Sequence, residues 1–284
     1  MLERVDRVLL VVQDAKAATE TFGRLLGTEV AGQHKSSLLG AQVTRLALGE
    51  SELELMEPFG SGVTADFLAR RGEGLFAAGM ATNYLEKLRE RFQRLGITHE
   101  TDNGRLFLPG EHHFGVPFLI SPMVPRVRVG VVSFLYEVTN TLVSDWHGAA
   151  VHFSGLFGLD PQRFSPIGSK RFGYEGTLTL FNPPERLDRI ELSQVTNSNS
   201  AMGRWVAKHG DSLYMCYCET HDFPGLKERL NANGARWTPR GETQEGELDG
   251  NWIHPSSLHG LLLGVSRTTL GWEWSGRPEL VVPL

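Results

Sequence analysis

Cysteine is scarce in this chain: there are two in 284 residues, Cys216 and Cys218. A Cys-x-Cys pair has neither the spacing of common zinc sites nor that of redox dithiols, so neither chemistry is expected of it. Long apolar runs are missing as well, and none approaches the ~20 residues that a membrane-crossing helix needs. Positive charge is not in excess. Lys and Arg number 28 against 33 Asp and Glu, a net charge of −5, which removes the electrostatic case for a nucleic-acid partner. The opening MLERVDR leads straight into a strand pattern, without the charged-then-apolar order of a secretory leader. The expectation is a soluble, reduced, cytoplasmic protein with no nucleic-acid or membrane partner.

What the chain does contain is a repeat. Val5 to Gly27 reads VDRVLLVVQDAKAATETFGRLLG, and Phe134 to Leu159 reads FLYEVTNTLVSDWHGAAVHFSGLFGL. In each, an apolar strand leads into a helix that ends Phe-x-x-Leu-(Leu/Phe)-Gly, at Phe22–Gly27 and Phe153–Gly158. Glycine just past a helix is the usual left-handed stop. Two weaker copies follow. One has a strand at Leu75–Ala81 and a helix at Tyr84–Leu95 stopped by Gly96; the other has a strand at Ser212–Glu219 and a helix at Pro224–Asn233 stopped by Gly234. Further strands are expected at Gln42–Leu48, Glu52–Met56, Arg105–Leu108, Val116–Ile120, Tyr174–Phe181, Arg189–Val195, Asn251–His254 and Leu261–Val265. The repeating unit is therefore a strand, a helix, then two or three strands. A sheet with one apolar face has to bury it, and pairing two units does so by curling them into a cup.

The expected fold class is α+β, with four βαβββ modules paired into two cups. The first cup takes residues 1–122 and the second residues 131–267. The proline-bearing SPMVPRVRVG, Ser121–Gly130, reads as the linker between them. Residues 268–284 form a tail carrying Trp272 and Trp274. This plan resembles the vicinal oxygen chelate superfamily of glyoxalase I, bleomycin-resistance proteins, methylmalonyl-CoA epimerase and extradiol dioxygenases, in a two-domain form. In the second half the resemblance rests on Asn140, the Phe153–Leu159 helix end, Arg189-Ile190-x-Leu192, and Gly210 before the Leu213 strand.

The resemblance implies where metal ligands would stand in members that use them: a histidine on the first strand, a glutamate or glutamine on the fourth, a histidine on the fifth and a glutamate on the last. In the first cup these positions hold Arg7, Glu54, Phe76 or Ala77, and Leu119 or Ser121. In the second they hold Tyr136, Glu191, Met215 and Gly264. Neither set contains two histidines and a glutamate, and one carboxylate does not hold a divalent ion against water. No cofactor is expected, and a divalent metal only at a site of different make-up. His254 and His259 on one hairpin, with His112 and His113 on the matching hairpin of the other half, are the remaining imidazole candidates. His147 and His152 lie five apart on a helix, the wrong spacing for one face.

Side chains alternate along a strand, so inward Tyr136 carries Phe134, Val138 and Asn140 with it. Inward Glu191 carries Arg189 and Ser193, and inward Met215 carries Leu213, Tyr217 and Glu219. Cys216 and Cys218 then face the helices. Gly264 leaves room for a ligand. The second cup thus becomes the expected pocket, aromatic and apolar with a few polar groups. In it Glu191 and Tyr136 are the expected catalytic residues, and Phe134, Asn140, Arg189, Ser193, Met215, Tyr217, Gly264, His254 and His259 the binding residues. In the first cup Arg7 and Glu54 should meet as a buried ion pair. Three functions remain open at this point. One is a proton-transfer enzyme (isomerase, epimerase or lyase) acting on a hydrophobic aromatic or acyl carbonyl compound. Another is a sequestering protein of the bleomycin-resistance type, often dimeric, so that a homodimer is admitted. The third is a dioxygenase with a relocated metal.

Overall fold

The structure is a computed structural model and describes residues 1–183, 185–241 and 249–267, together with residue 279. The tail with Trp272 and Trp274 lies outside the described residues. In the first half the elements are β1 (Arg4–Val11), α1 (Ala15–Leu26), β2 (Glu29–Ser36), β3 (Ala41–Leu48), β4 (Ser51–Pro58) and α2 (Val63–Arg71). They continue with β5 (Gly74–Thr82), α3 (Leu85–Arg94), β6 (Glu100–Asp102), β7 (Arg105–Leu108) and β8 (Phe118–Pro122). The second half repeats the order. It runs β9 (Val132–Leu142), α4 (Trp146–Phe157), β10 (Ser165–Ser169), β11 (Tyr174–Asn182), β12 (Arg186–Val195) and α5 (Ala201–His209). It ends with β13 (Ser212–Thr220), α6 (Phe223–Ala232), β14 (Trp237–Pro239), β15 (Gly250–Ile253) and β16 (Leu263–Ser266).

Each half forms one eight-stranded sheet, ordered β2-β3-β4-β1-β5-β8-β7-β6 and β10-β11-β12-β9-β13-β16-β15-β14. The two orders are the same, so every strand of one sheet has a counterpart in the other. In both sheets the first strands of the two modules pair antiparallel at the centre, β1 with β5 and β9 with β13.

The repeated helices form for the reasons the sequence suggests. Asp14 and Asp145 cap α1 and α4 by accepting the Ala17 and Gly148 N–H groups, and Gly27 and Gly158 end them at φ 72° and 64°. Phe22 and Phe153 near their ends are fully buried. One continuous core takes in the helix-facing side of both sheets and the apolar faces of α1, α3, α4 and α6. The sheets therefore turn their helix-covered faces toward each other. Contacts between the halves are paired as if by a twofold axis. Arg91 of α3 binds the Gly155 and Leu156 carbonyls that end α4, and Arg229 of α6 binds the Gly23 carbonyl near the end of α1. Cations belong at these helix C-termini. Likewise the Val5 N–H donates to Asp188, and the Leu135 N–H donates to Ser51.

Several elements differ from the sequence expectation. The edge strands β2, β6, β10 and β14 and the helices α2 and α5 were not expected. The edge strands carry few buried apolar residues and are held mainly by ladder hydrogen bonds, so they leave little periodic signal. Helix α5 begins inside the polar run Thr196–Gly203, where Ser200 caps it by accepting the Gly203 N–H. The Ser121–Gly130 stretch is tied to the first half. Arg126 pairs with Asp6 and Glu52, Val129 and Gly49 exchange backbone hydrogen bonds, and Gly130 at φ 76° sits against the Leu26 carbonyl, where no Cβ would fit. No described helix is long and apolar enough to cross a membrane.

Candidate active site

The interior of each cup is set by a bulge in its first strand. In β1 the pairing with β5 jumps between Val5 and Arg7, and in β9 the pairing with β13 jumps between Leu135 and Glu137. A bulge adds one residue and shifts the alternation of faces beyond it. Asp6 and Arg7 consequently share the inner face of one cup, and Tyr136 and Glu137 that of the other. The register makes Arg7 and Glu137 counterparts, since they pair with Gly79 and Tyr217, and these pair in turn with Leu119 and Gly264. Glu54 and Glu191 are likewise counterparts, lying beside Leu9 and Thr139.

This changes the expected wall of the second cup. Thr139 faces inward beside Glu191 and Met215, while Val138 and Asn140 point toward the helices. Asn140 is flanked by Leu192 and Leu213, both in the helix-side core, and its amide atoms have no partner among the described residues. The expected place of Asn140 in the pocket is therefore corrected, as is that of Leu213, which a second bulge at Tyr214 turns outward. Gly264 leaves no space for a ligand: a Cβ there would stand 2.1 Å from the Tyr217 ring, which already fills the gap. Cys216 and Cys218 do face the helix-side core.

Inside the second cup, Arg189 donates through Nε to Glu137 at 2.6 Å, with both side chains fully buried. Its guanidinium lies 4.7 Å over the Tyr136 ring, which stacks on Tyr217 at 6.1 Å. The Thr139 hydroxyl is 3.4 Å from one oxygen of Glu137 and one of Glu191. Ser193 donates to the other oxygen of Glu191. Burial, and then the neighbouring Glu137 carboxyl, push Glu191 well above the usual carboxylate range; the Ser193 hydroxyl and Arg189 only partly oppose them. Tyr136 is also raised, by burial, and its hydroxyl bonds Ser266 at 2.7 Å. Around this centre stand Met215, Trp252, which donates to the Tyr217 hydroxyl at 2.8 Å, and Phe134, whose ring lies 3.8 Å under the Arg186 guanidinium. Arg240 lies 5.8 Å over the Tyr217 ring and pairs with Asp249.

Glu137, Thr139 and Arg240 were not among the expected site residues. Strict alternation hid the first two, although Asp6-Arg7 side by side in an apolar strand is the trace such a bulge leaves in sequence. His254 and His259 lie elsewhere. His254 bonds Thr238, and His259 meets Glu73 and Thr21 at the seam between the halves. His113 bonds His152 of α4 at the matching seam, and burial lowers it to about 4.

The first cup holds an ion-pair network instead. Arg7 contacts Asp6, Glu52 and Glu54 at 2.6, 2.9 and 2.6 Å. Arg105 reaches Glu54 at 2.6 Å and Asp102 at 2.8 Å, and Arg126 closes the network on Asp6 and Glu52. Burial alone would raise Glu54, but Arg7 and Arg105 hold it below its ordinary value.

The same architecture occurs in solved structures. A substituted 4-hydroxymandelate synthase from Streptomyces coelicolor superposes with a TM-score of 0.70 at 13% identity, covering 93% of this chain and 92% of that one. This chain has the vicinal oxygen chelate fold. A fusion of a xylose isomerase-like barrel with 4-hydroxyphenylpyruvate dioxygenase matches with a TM-score of 0.62 at 11% identity, over 93% of this chain and 48% of the fusion. Methylmalonyl-CoA epimerase from Mycobacterium tuberculosis aligns with about half of the chain, 48%, at 18% identity and a TM-score of 0.40, over 88% of its own length. No protein-family profile and no curated protein sequence matches the chain.

Members of this fold that use a metal set carboxylates and imidazoles around it. The residues here do not fit that group. No group of three His, Cys, Asp or Glu side chains among the described residues is placed to hold a metal ion. Arg189 already engages Glu137 in one cup, and Arg7, Arg105 and Arg126 engage the carboxylates of the other.

Proposed function

We propose that the second cup is the active site of a metal-independent enzyme that moves a proton on a hydrophobic aromatic or acyl carbonyl compound. The observation that carries this reading is the Glu137–Glu191 pair. Two buried carboxyls lie side by side: Glu137 is held by the Arg189 guanidinium, and Glu191 is pushed well above the usual carboxylate range by burial and by Glu137. Such a dyad supplies a base and an acid at once. Its ionised member takes the proton from the carbon next to the carbonyl. Its protonated member, Glu191 by the direction of its shift, donates to the carbonyl oxygen as negative charge develops there. Returning the first proton to carbon from another direction or at another atom completes an isomerisation or epimerisation. Thr139 and Ser193 orient the carboxyls, Arg189 fixes Glu137, and Tyr136, Tyr217, Met215, Phe134 and Trp252 offer the apolar wall.

The test is solvent exchange in deuterium oxide, with an arylpyruvate and an aryl acyl thioester as probes. Wild-type protein should load deuterium next to the carbonyl, and Glu191→Gln and Glu137→Gln should each slow this by at least about 100-fold. Exchange at the wild-type rate in both variants, with circular dichroism unchanged, would sink the proposal. Binding of the probes without exchange would favour the second reading, sequestration. That reading draws on the aromatic lining, in which Tyr136 stacks on Tyr217 and Phe172 meets the Trp252 edge at 5.6 Å.

A further inference from the structure

His259, left over by the second cup, belongs to a different constellation. Its Nδ1 lies 2.9 Å from Glu73 Oε2, and its Nε2 lies 3.3 Å from Thr21 Oγ1. The other Glu73 oxygen accepts the Gln13 N–H at 2.9 Å, which fixes the carboxylate's orientation. Arg24, one turn further along α1, brings Nη2 to 3.5 Å from the Thr21 hydroxyl. With Nδ1–H donated to Glu73, the Nε2 lone pair faces Thr21. The hydroxyl proton then has two acceptors in reach, Nε2 and the Ala17 carbonyl at 3.0 Å. Hydroxyl, imidazole and carboxylate thus stand in the order nucleophile, base and orienting acid.

The setting suits a ligand. A cleft of about 480 Å³ opens between the halves here, lined by Thr21, Glu73, Pro255, Ser256, Ser257 and His259. The imidazole and carboxylate are partly open to it, at 19% and 27% side-chain exposure. His259 holds φ at 49°, a left-handed conformation uncommon for a residue other than glycine. The counterpart turn places Phe114 at φ 51°, so the turn belongs to the architecture, whereas the imidazole is particular to this side. Thr21 and Glu73 come from the first half and His259 from the second; docking of the halves assembles the three.

We propose that Thr21, His259 and Glu73 form an acyl-transfer site in this cleft, taking small acyl esters. Thr21 Oγ1 bonds to the ester carbonyl carbon as its proton passes to His259 Nε2. The carbon–oxygen bond to the leaving alcohol then breaks, and the alcohol carries that proton away. Water repeats the sequence on the acyl-threonine, releasing the acid and restoring the hydroxyl. Glu73 stabilises the imidazolium, and Arg24 faces the oxyanion. The site is independent of the carboxyl dyad.

The probe is p-nitrophenyl acetate with the full chain. Wild-type protein should hydrolyse it and, on quenching, carry an acetyl group on Thr21. Thr21→Val and His259→Asn, the latter tolerant of left-handed backbone, should each lower the rate by at least about 100-fold. Thr21→Ser should retain it, and Thr21→Val should leave deuterium exchange in the second cup unchanged. Should His259→Asn fail to fold, the Thr21→Val and Thr21→Ser pair still decides. Hydrolysis no faster than with free imidazole, a wild-type rate in Thr21→Val, or an acetyl group mapped to another residue would overturn the proposal.

Discussion

The two cups share strand order, register and bulge, yet their central charges are exchanged. In the first, the arginine is on the first strand and a glutamate stands opposite it on the fourth, as Arg7 and Glu52. In the second, the glutamate is on the first strand and the arginine opposite, as Glu137 and Arg189. Bulk is exchanged as well: Gly79 and Leu119 in one cup answer to Tyr217 and Gly264 in the other. The swap decides the fate of the glutamate that both cups share, Glu54 in one and Glu191 in the other. Glu54 faces two guanidinium groups, Arg7 and Arg105, and stays ionised. Glu191 faces the carboxyl of Glu137 and is pushed well above the usual carboxylate range. One fold has moved the pKa of the same side chain in opposite directions in its two cups, through its neighbours.

The sharpest test of that contrast is one substitution made twice. Glu54→Gln strands buried Arg7 and Arg105 and should cost about 3–5 kcal/mol, read as a lower denaturant midpoint at pH 7. Glu191→Gln replaces a carboxyl whose ionisation burial and Glu137 oppose with a neutral amide, and should cost no more than about 1 kcal/mol, or stabilise. Equal losses in the two variants would mean that the cups do not differ as described.

Acid should separate the two glutamates further. The Glu54 pKa is lowered in the folded state, so its stabilisation is present above the unfolded-state value of about 4.3 and is lost as pH falls through the folded one. The Glu191 pKa is raised, so folding is penalised as pH rises from about 4.3 toward the folded value, and acidification removes the penalty. Between pH 7 and pH 4 any advantage of Glu191→Gln over wild type should shrink. The deficit of Glu54→Gln should begin to close only below about pH 4. Unfolding curves on both variants across that range measure it, and parallel shifts would contradict the assignment.

The exchanged glycines come next in size. A Cβ at residue 79 would stand 2.0 Å from Arg7 Cγ, and Arg7 cannot move without leaving three carboxylates. Gly79→Ala should therefore cost near the top of the ~1–3 kcal/mol range for overpacking. Gly264→Ala meets the Tyr217 ring, which can swing at the expense of its bond from Trp252, and should cost near the bottom of that range. A reversed order would show that the ring, not the arginine, is the rigid partner.

How much of this was legible in the sequence follows from which forces leave a period. The helices α1 and α4, their glycine stops, and the buried central strands all carry long apolar or terminal signals, and they stand where the sequence put them. Arg7 and Glu54 are legible too, as charges that an apolar strand has to pair. The bulges are not. One extra residue in β9 moved Glu137 and Thr139 into the cup and Asn140 out of it, and alternation has no symbol for that. The Thr21–His259–Glu73 cluster is further from view, because it joins residues 186 and 238 positions apart and exists only once the halves dock.

The bulged residue itself gives the smallest effect and the closing comparison. Asp6 and Tyr136 occupy the same position. Asp6 is held below its usual value against the cost of burial by Arg7 and Arg126, so Asp6→Asn removes a member of a buried network. Tyr136→Phe removes only the hydroxyl bonded to Ser266, while the stack on Tyr217 and the Arg189 contact persist. It should cost about 1 kcal/mol. Its effect on deuterium exchange decides a further point. A hydroxyl committed to Ser266 contributes little to the developing oxyanion, and the rate should fall less than about tenfold. A fall of ~10²–10³-fold, the cost of losing an oxyanion donor, would show instead that Tyr136 leaves Ser266 when substrate binds, and would make it a catalytic partner of the dyad.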